Sequence, residues 1–225
     1  MTSHWSDLER PPLRAAELER ALVRPGGLWT SLRVVAATGS TNSDLAAEAA
    51  LGRAAEVGLS LKWPNDLLAT VDGEERKVGG ILAELSGDGG EGDAVVLGIG
   101  LNVSLRAEEL PVPGAASLAL AGAKVTDRDT LVRSLLRVFA ELYEDWCSVG
   151  GDPEASGLRV AYAARCATIG RSVRVELPGG AELLGRAVAV DADGRLVVRT
   201  ADGTERPVGA GDVVHVRPGA SPLEG

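Results

Sequence analysis

The segment LSLKWPNDLLATV, residues 59–71, sets a lysine, a tryptophan, a proline and an Asn-Asp pair inside one apolar run. Pro64 cannot donate a ladder hydrogen bond and fixes the backbone just beyond Lys62. Trp63, one of only seven aromatic residues in the chain, offers a rigid wall beside the cation. Asn65 and Asp66 add an amide and a carboxylate within one turn. A cation fixed among hydrogen-bonding groups suits recognition of a phosphate or a carboxylate. A capped strand end with a solvated lysine explains the same letters, and the residues alone leave both readings open.

Three other stretches carry polar groups at element ends. ATGSTNSDLA, residues 37–46, reads as a strand-to-helix turn in which Thr41 and Asp44 form a capping box. That is either a plain helix start or a helix N-terminus whose Ser40, Thr41 and Asn42 donate to a small polar ligand. GIGLNV ends an apolar strand at Asn102, as a turn residue satisfying local backbone or as a ligand contact at a strand end. KVGGILAEL places Gly79 and Gly80 inside a strand, which marks a bulge or a close approach of ligand or backbone. Lys77 beside them is either a solvated edge or an anion contact.

The elements that must position these residues follow from periodicity. A short helix is expected over Leu13–Val23, between Pro11-Pro12 and Pro25-Gly26-Gly27. A strand running through LWTSLRVV to about Val35 comes next, then an Ala-rich helix from Ser43 to Glu56 with Leu45, Ala49 and Ala55 on one face. LSLKW is a strand, and VDGEERKVGGILAEL a hairpin arm entered through a turn at Asp72-Gly73. AVVLGIGLNVSL, continuously apolar, reads as a strand buried on both faces. Leu131, Leu135, Val138, Leu142 and Trp146 recur at helical intervals, capped by Thr126 or Asp127 and stopped by Gly150-Gly151. After ATIG the chain becomes five short strands separated by turn signals, the pattern of a small barrel. The fold class expected is α/β (α+β), a mixed or antiparallel sheet with helices on one face and a C-terminal barrel. The domain boundary is set at 167/168: residues 1–167 form one domain, residues 168–225 the barrel and tail.

Composition bounds the function. With 23 basic and 32 acidic residues the formal charge is −9, a poor match to a nucleic-acid coat or an anionic membrane surface. Two histidines at opposite ends, and two cysteines outside any CxxC, leave a zinc cluster without ligands. Cys147 and Cys166 are expected to be buried reduced thiols in a cytoplasmic protein. The N-terminus has no apolar h-region, and no apolar run approaches the ~20 residues that span a bilayer.

Taken in order, GSTN, KWPNDLL, KVGGILAE and GIGLNV resemble the biotin protein ligase family, and the C-terminal strands resemble that family's SH3-like domain. The likeness runs from about Trp29 to Pro218 and is to the monofunctional type without a DNA-binding domain. It implies a two-step reaction: biotin and Mg-ATP give biotinyl-5′-AMP, and the acyl group passes to a lysine of a biotin carboxyl carrier domain, typically of acetyl-CoA carboxylase. It implies that Ser40, Thr41 and Asn42 contact biotin, and that Lys62 sits catalytically between the biotin carboxylate and the α-phosphate. Asn102 would approach the nucleotide. Lys77, Gly79 and Gly80 belong to a matching motif on that nucleotide side. The implied cofactors are ATP and Mg2+, with no metal held by the protein alone.

One part of the family pattern is missing. Between its GSTN turn and its KWPND strand the family carries a Gly/Arg-rich loop that closes over biotin and the adenylate. Here only nineteen residues separate Asn42 from Lys62, and the LGR at 51–53 lies in an Ala-rich helical stretch. Two helices read as fused between about residues 50 and 51, and sheet strands are lost with the loop, leaving edges exposed. The expectation is a ligase of impaired or absent activity. The alternatives are a catalytically impaired biotin- or nucleotide-binding paralogue and a lipoate or octanoate transferase.

Overall fold

The computed structural model describes residues 10–35, 51–86 and 94–216. Helix α1 spans Ala15–Leu22, and strands β1 (Leu59–Lys62), β2 (Asp66–Val71), β3 (Glu74–Ser86) and β4 (Ala94–Leu101) follow. Helices α2 (Arg128–Ser148) and α3 (Leu158–Arg165) precede β5 (Ser172–Glu176), β6 (Glu182–Val190), β7 (Leu196–Arg199), β8 (Glu205–Val208) and β9 (Asp212–His215). One sheet has the order β1-β2-β3-β4, the other β8-β7-β6-β5-β9. The chain divides into two compact units, Met1–Leu59 with Leu67–Glu144, and Ser60–Asp66 with Asp145–Gly225. The second unit thus takes in the KWPND segment.

In the first unit the β2–β3 turn is the expected one. Asp72 and Gly73 have φ of 53° and 79°, the left-handed pair that a two-residue hairpin needs to match strand twist. β3 and β4 pair antiparallel from Gly79↔Leu101 to Ser86↔Ala94. A Cβ on Gly79 would lie 2.7 Å from the Gly100 carbonyl oxygen and 3.1 Å from Leu67 Cδ1. The glycine is required by backbone approaching backbone. Asp127, rather than Thr126, caps α2: its Oδ1 accepts from the Thr130 backbone N–H at 2.9 Å and from the Thr130 hydroxyl at 2.6 Å. Two residues on, buried Asp129 accepts from the Arg14 backbone N–H at 3.0 Å and pairs with the Arg14 guanidinium, tying α2 to the start of α1.

Three expectations need correcting. Residues 28–35 form no strand. Their apolar letters suit a ladder, but among the described residues no strand lies beside them. Trp29 instead donates to the Leu136 carbonyl at 3.0 Å and packs against Phe139 on α2, with ring centroids 5.6 Å apart. β4 is not buried: Val95, Val96 and Leu97 are 60%, 56% and 42% exposed. Among the described residues it ends the sheet order, so an uninterrupted apolar run here lies on an edge. Cys147, on the outer side of α2, is exposed, and only Cys166 is buried. Of the helix expected from Ser43 to Glu56, residues 51–55 are helical, with Leu51 and Ala55 buried; Leu45 and Ala49 lie outside the described residues.

The second unit holds all five C-terminal strands, antiparallel throughout, with Pro207 on the edge strand β8 where its missing N–H costs nothing. α2 ends as expected, with the Gly151 N–H returning to the Trp146 carbonyl at 2.9 Å.

Two outcomes follow. Gly79→Ala should lose roughly 2 kcal/mol by overpacking against the Gly100 carbonyl, read as a lower denaturant midpoint with an unchanged slope. Asp127→Ala should lose about 1 kcal/mol of cap. Hydrogen bonds from the Thr130 side chain and then its backbone N–H hold the Asp127 carboxyl below its ordinary value. The cap's contribution is therefore full above the unfolded carboxylate range and lost as pH falls through the lowered value. The difference between wild type and variant should shrink in acid unfolding.

Candidate functional site

Strand alternation decides what the KWPND segment does. Leu61 and Trp63 fall on one side of the extended chain and are 1% and 3% exposed, whereas Lys62 between them is directed the other way and stays half-buried. Trp63 is not a wall of an open site. It belongs to the hydrophobic core of the second unit, with Val173, Val175, Leu183, Ala187, Leu196, Val198 and Val213. Its indole Nε1 donates to the Gly194 carbonyl at 2.9 Å, and its backbone N–H donates to Thr168 Oγ1 at 3.1 Å. Leu61 forms a parallel bridge with Cys166, and its carbonyl accepts from the Ala167 N–H at 2.7 Å. The Trp63–Pro64 peptide is cis.

This leaves the Lys62 ammonium 3.6 Å from Asp66 Oδ2, with side chains 22% and 16% exposed. At that separation, partly solvated, the pair contributes at most about 1 kcal/mol. It does not hold the lysine in place; the buried tryptophan beside it does. The result is a lysine that projects from an anchored backbone, with a carboxylate 3.6 Å from its ammonium. Asp66, the carboxylate of the Asn-Asp pair in the sequence, is the residue that the structure sets beside Lys62.

In the first unit the remaining candidates form a backbone junction. Lys77 donates its N–H to the Gly114 carbonyl at 3.0 Å and accepts from the Ala116 N–H at 2.7 Å, while its side chain is exposed. Asn102 donates its N–H to the Val78 carbonyl at 2.8 Å and its side-chain amide to the Ala116 carbonyl at 2.9 Å. Lys77, Gly79, Gly80 and Asn102 therefore meet where β3, the end of β4 and the 114–118 segment join, and the Asn102 amide nitrogen is used on backbone. Ser40, Thr41 and Asn42 lie outside the described residues. A cavity of about 230 Å³ in the same unit is lined by Leu13, Leu51, Ile99, Leu101, Leu131 and Leu135 with Arg128, an apolar surface unsuited to a phosphate. Among the described residues no group of three or more His, Cys, Asp or Glu side chains is placed to hold a metal ion, and no helix is long and apolar enough to cross a membrane.

Two residues that the sequence reading passed over are Thr168 and His215. Thr168 is fully buried, and its hydroxyl lies 3.0 Å from His215 Nε2. No local pattern signals either, because they meet Trp63 only through the fold.

Comparison with known proteins identifies the family. Residues 20–102 match the biotin/lipoate A/B protein ligase family, and residues 168–216 match the biotin protein ligase C-terminal domain. A biotin–[acetyl-CoA-carboxylase] ligase of Mycobacterium tuberculosis is 34% identical, over 94% of this chain and 98% of that one. That alignment is 278 positions long against 225 residues here, so at least 53 positions of it face no residue of this chain. The biotin protein ligase of Aquifex aeolicus shares the fold: a TM-score of 0.61 at 22% identity, over 76% of this chain and 71% of that one. The same enzyme in complex with biotin and ATP gives 0.59 at 24% identity, over 76% and 68%. In sequence and in fold, the chain belongs to the biotin protein ligase family.

Proposed function

We propose that this chain uses ATP to activate biotin and passes it to a lysine of a biotin carboxyl carrier domain, with Lys62 as the cation at the reacting anions. The observation that supports this most is the anchoring of Lys62: its neighbour Trp63 is buried and hydrogen-bonded at both its N–H groups, so the ammonium has a fixed origin. The match at residues 168–216 supports biotin over lipoate or octanoate.

In the first step a biotin carboxylate oxygen attacks the α-phosphorus of ATP. A carboxyl–phosphate bond forms, the bond to the β-phosphate oxygen breaks, and pyrophosphate leaves. Two anions are forced together, so a fixed ammonium between them lowers the barrier more than it lowers the ground state. Asp66, 3.6 Å away, would give up its share of that charge as the substrates arrive. In the second step the acceptor lysine attacks the acyl carbon, AMP leaves, and the new amide loses a proton. Ser40, Thr41 and Asn42 would hold biotin. Lys77, Gly79 and Gly80 would border the nucleotide, and Asn102 would offer it the amide oxygen left by its bond to Ala116. Mg2+ would arrive on the triphosphate, which with water supplies the oxygen ligands this ion prefers. The carrier domain of acetyl-CoA carboxylase is the acceptor this reading takes, in the cytoplasm. The segment from residue 168 onward would act as a separate domain that buttresses Lys62.

The missing positions bear on the intermediate. A mixed anhydride exposed to water hydrolyses, and the family's loop that covers it has no counterpart between Asn42 and Lys62. The chain should therefore form the adenylate and retain it poorly. Lys62→Met should lower biotin-dependent exchange of pyrophosphate into ATP about 100-fold, as loss of a transition-state charge contact does, without lowering the melting temperature. Labelling of an acceptor carrier domain by the wild-type chain should be slower than by the 34%-identical ligase, with AMP released in excess of biotin attached. Equal turnover, with AMP matching biotin attached, would show that the missing segment is dispensable. Binding of biotin and ATP with no labelling would favour the non-catalytic paralogue.

A further inference from the structure

We propose that Thr168 and His215 are positioning residues for Lys62, acting through a hydroxyl latch on the Trp63 backbone; this rests on the role given to Lys62 above. Segment 61–63 runs alongside 166–168. Leu61 bridges Cys166, and the Ala167 N–H donates to the Leu61 carbonyl at 2.7 Å. The next N–H along, that of Trp63, donates to a side chain instead, Thr168 Oγ1 at 3.1 Å, in a buried setting. Pro64 follows and has no N–H to give. The threonine hydroxyl is therefore the last tie on the main chain before it turns away, one residue from the lysine.

The orientation of that hydroxyl is fixed from behind. His215 Nε2 lies 3.0 Å from Thr168 Oγ1, and Arg171 Nη1 lies 3.2 Å from His215 Nδ1. A guanidinium nitrogen can only donate, so Nδ1 is the acceptor and carries no proton. The proton of the neutral ring is then on Nε2, which donates to Thr168 Oγ1. The hydroxyl oxygen thus accepts from Trp63 N–H and from His215 Nε2–H, filling both lone pairs. Thr168 is held in turn by its place: the Arg171 N–H returns to its carbonyl at 3.2 Å in the turn that opens β5, and His215 is paired with Val173 at the end of β9. Two strands of the C-terminal sheet converge on one hydroxyl, and that hydroxyl sets the backbone from which Lys62 projects.

A side chain that only filled space would tolerate an isosteric methyl. A latch would not. Calorimetric titrations of biotin and of Mg-ATP, separately, into the full chain, at a temperature where circular dichroism finds each variant folded, test this against Lys62→Met as the scale. Thr168→Val should weaken both ligands about tenfold and speed exchange of the Trp63 amide proton at least tenfold. Thr168→Ser, which keeps the acceptor, should stay within twofold of wild type. His215→Gln, which keeps a donor toward the hydroxyl, should lie between wild type and His215→Leu. Leu183→Ala, a loss in the same core that leaves the hydroxyl untouched, should lower stability without changing affinity. Wild-type affinities in Thr168→Val while Lys62→Met is weakened, or an equal loss in Leu183→Ala, would overturn the latch. Unchanged affinities in Lys62→Met, together with unchanged biotin-dependent pyrophosphate exchange, would instead remove Lys62 from the anionic centre, and the positioning role with it.

Discussion

The burial of one indole organises the candidate site. Trp63 withdraws roughly 200 Å² from water, about 5 kcal/mol at ordinary transfer values, whereas each of its two hydrogen bonds contributes about 1 kcal/mol net. The Lys62–Asp66 pair adds a fraction of that. The order of these magnitudes means that the segment is docked by its apolar residue, and the hydrogen bonds set how it sits once docked. Lys62 takes its backbone position from a neighbour buried in the core. A lysine fixed only by its own ion pair would lose its place whenever a competing anion arrived; one fixed by the residue beside it keeps its place and exchanges partners.

The first unit shows the opposite case, in which a constraint is missing. A strand needs a neighbour on each side or a reason to be an edge. β4 has β3 on one side and, among the described residues, nothing on the other, and its apolar side chains at 94–97 are exposed on both faces. Residues 28–35 are apolar enough for a strand and form none. Both facts fit a sheet that has lost internal members, as do the 53 or more unmatched positions in the alignment with the mycobacterial ligase. Trp29 on Phe139 and Leu136 is the compensation the structure finds: a segment with no ladder packs through its one large side chain.

What the letters made legible was whatever depends on neighbours in sequence. Asp72-Gly73 announced its hairpin, Asp127 its cap, Gly150-Gly151 the end of α2, and the five C-terminal strands came out in order because turn signals separate them. The errors over β4 and Trp63 were cases where the partner lies far along the chain. Burial of β4 was inferred from its own apolar run, but burial belongs to the neighbours. The position of Trp63 was misread for the same reason: its surroundings are residues 173–213, more than a hundred positions away. The glycine pair in β3 was read as a close approach of ligand or backbone, and Gly79 against the Gly100 carbonyl resolves it for backbone. Thr168 and His215 carried no signal, since a threonine before a strand and a histidine ending one are ordinary until the fold brings a main-chain N–H between them.

Activation and retention make different physical demands on such an enzyme, and in the function proposed above different parts of this chain meet them. The proposed activation needs a fixed charge where two anions meet, and the backbone beside Lys62 is held by Trp63, Thr168 and the strands of the second unit. None of these lies in the interval from Asn42 to Lys62 where the family's covering loop is missing. Retention needs water kept from a reactive anhydride, which only a cover over the site provides. In that reading the short interval between residues 42 and 62 leaves out the cover, while the anchor lies elsewhere in the chain. The two proposed functions would then be lost separately, because the groups proposed to serve them are held by different parts of the chain.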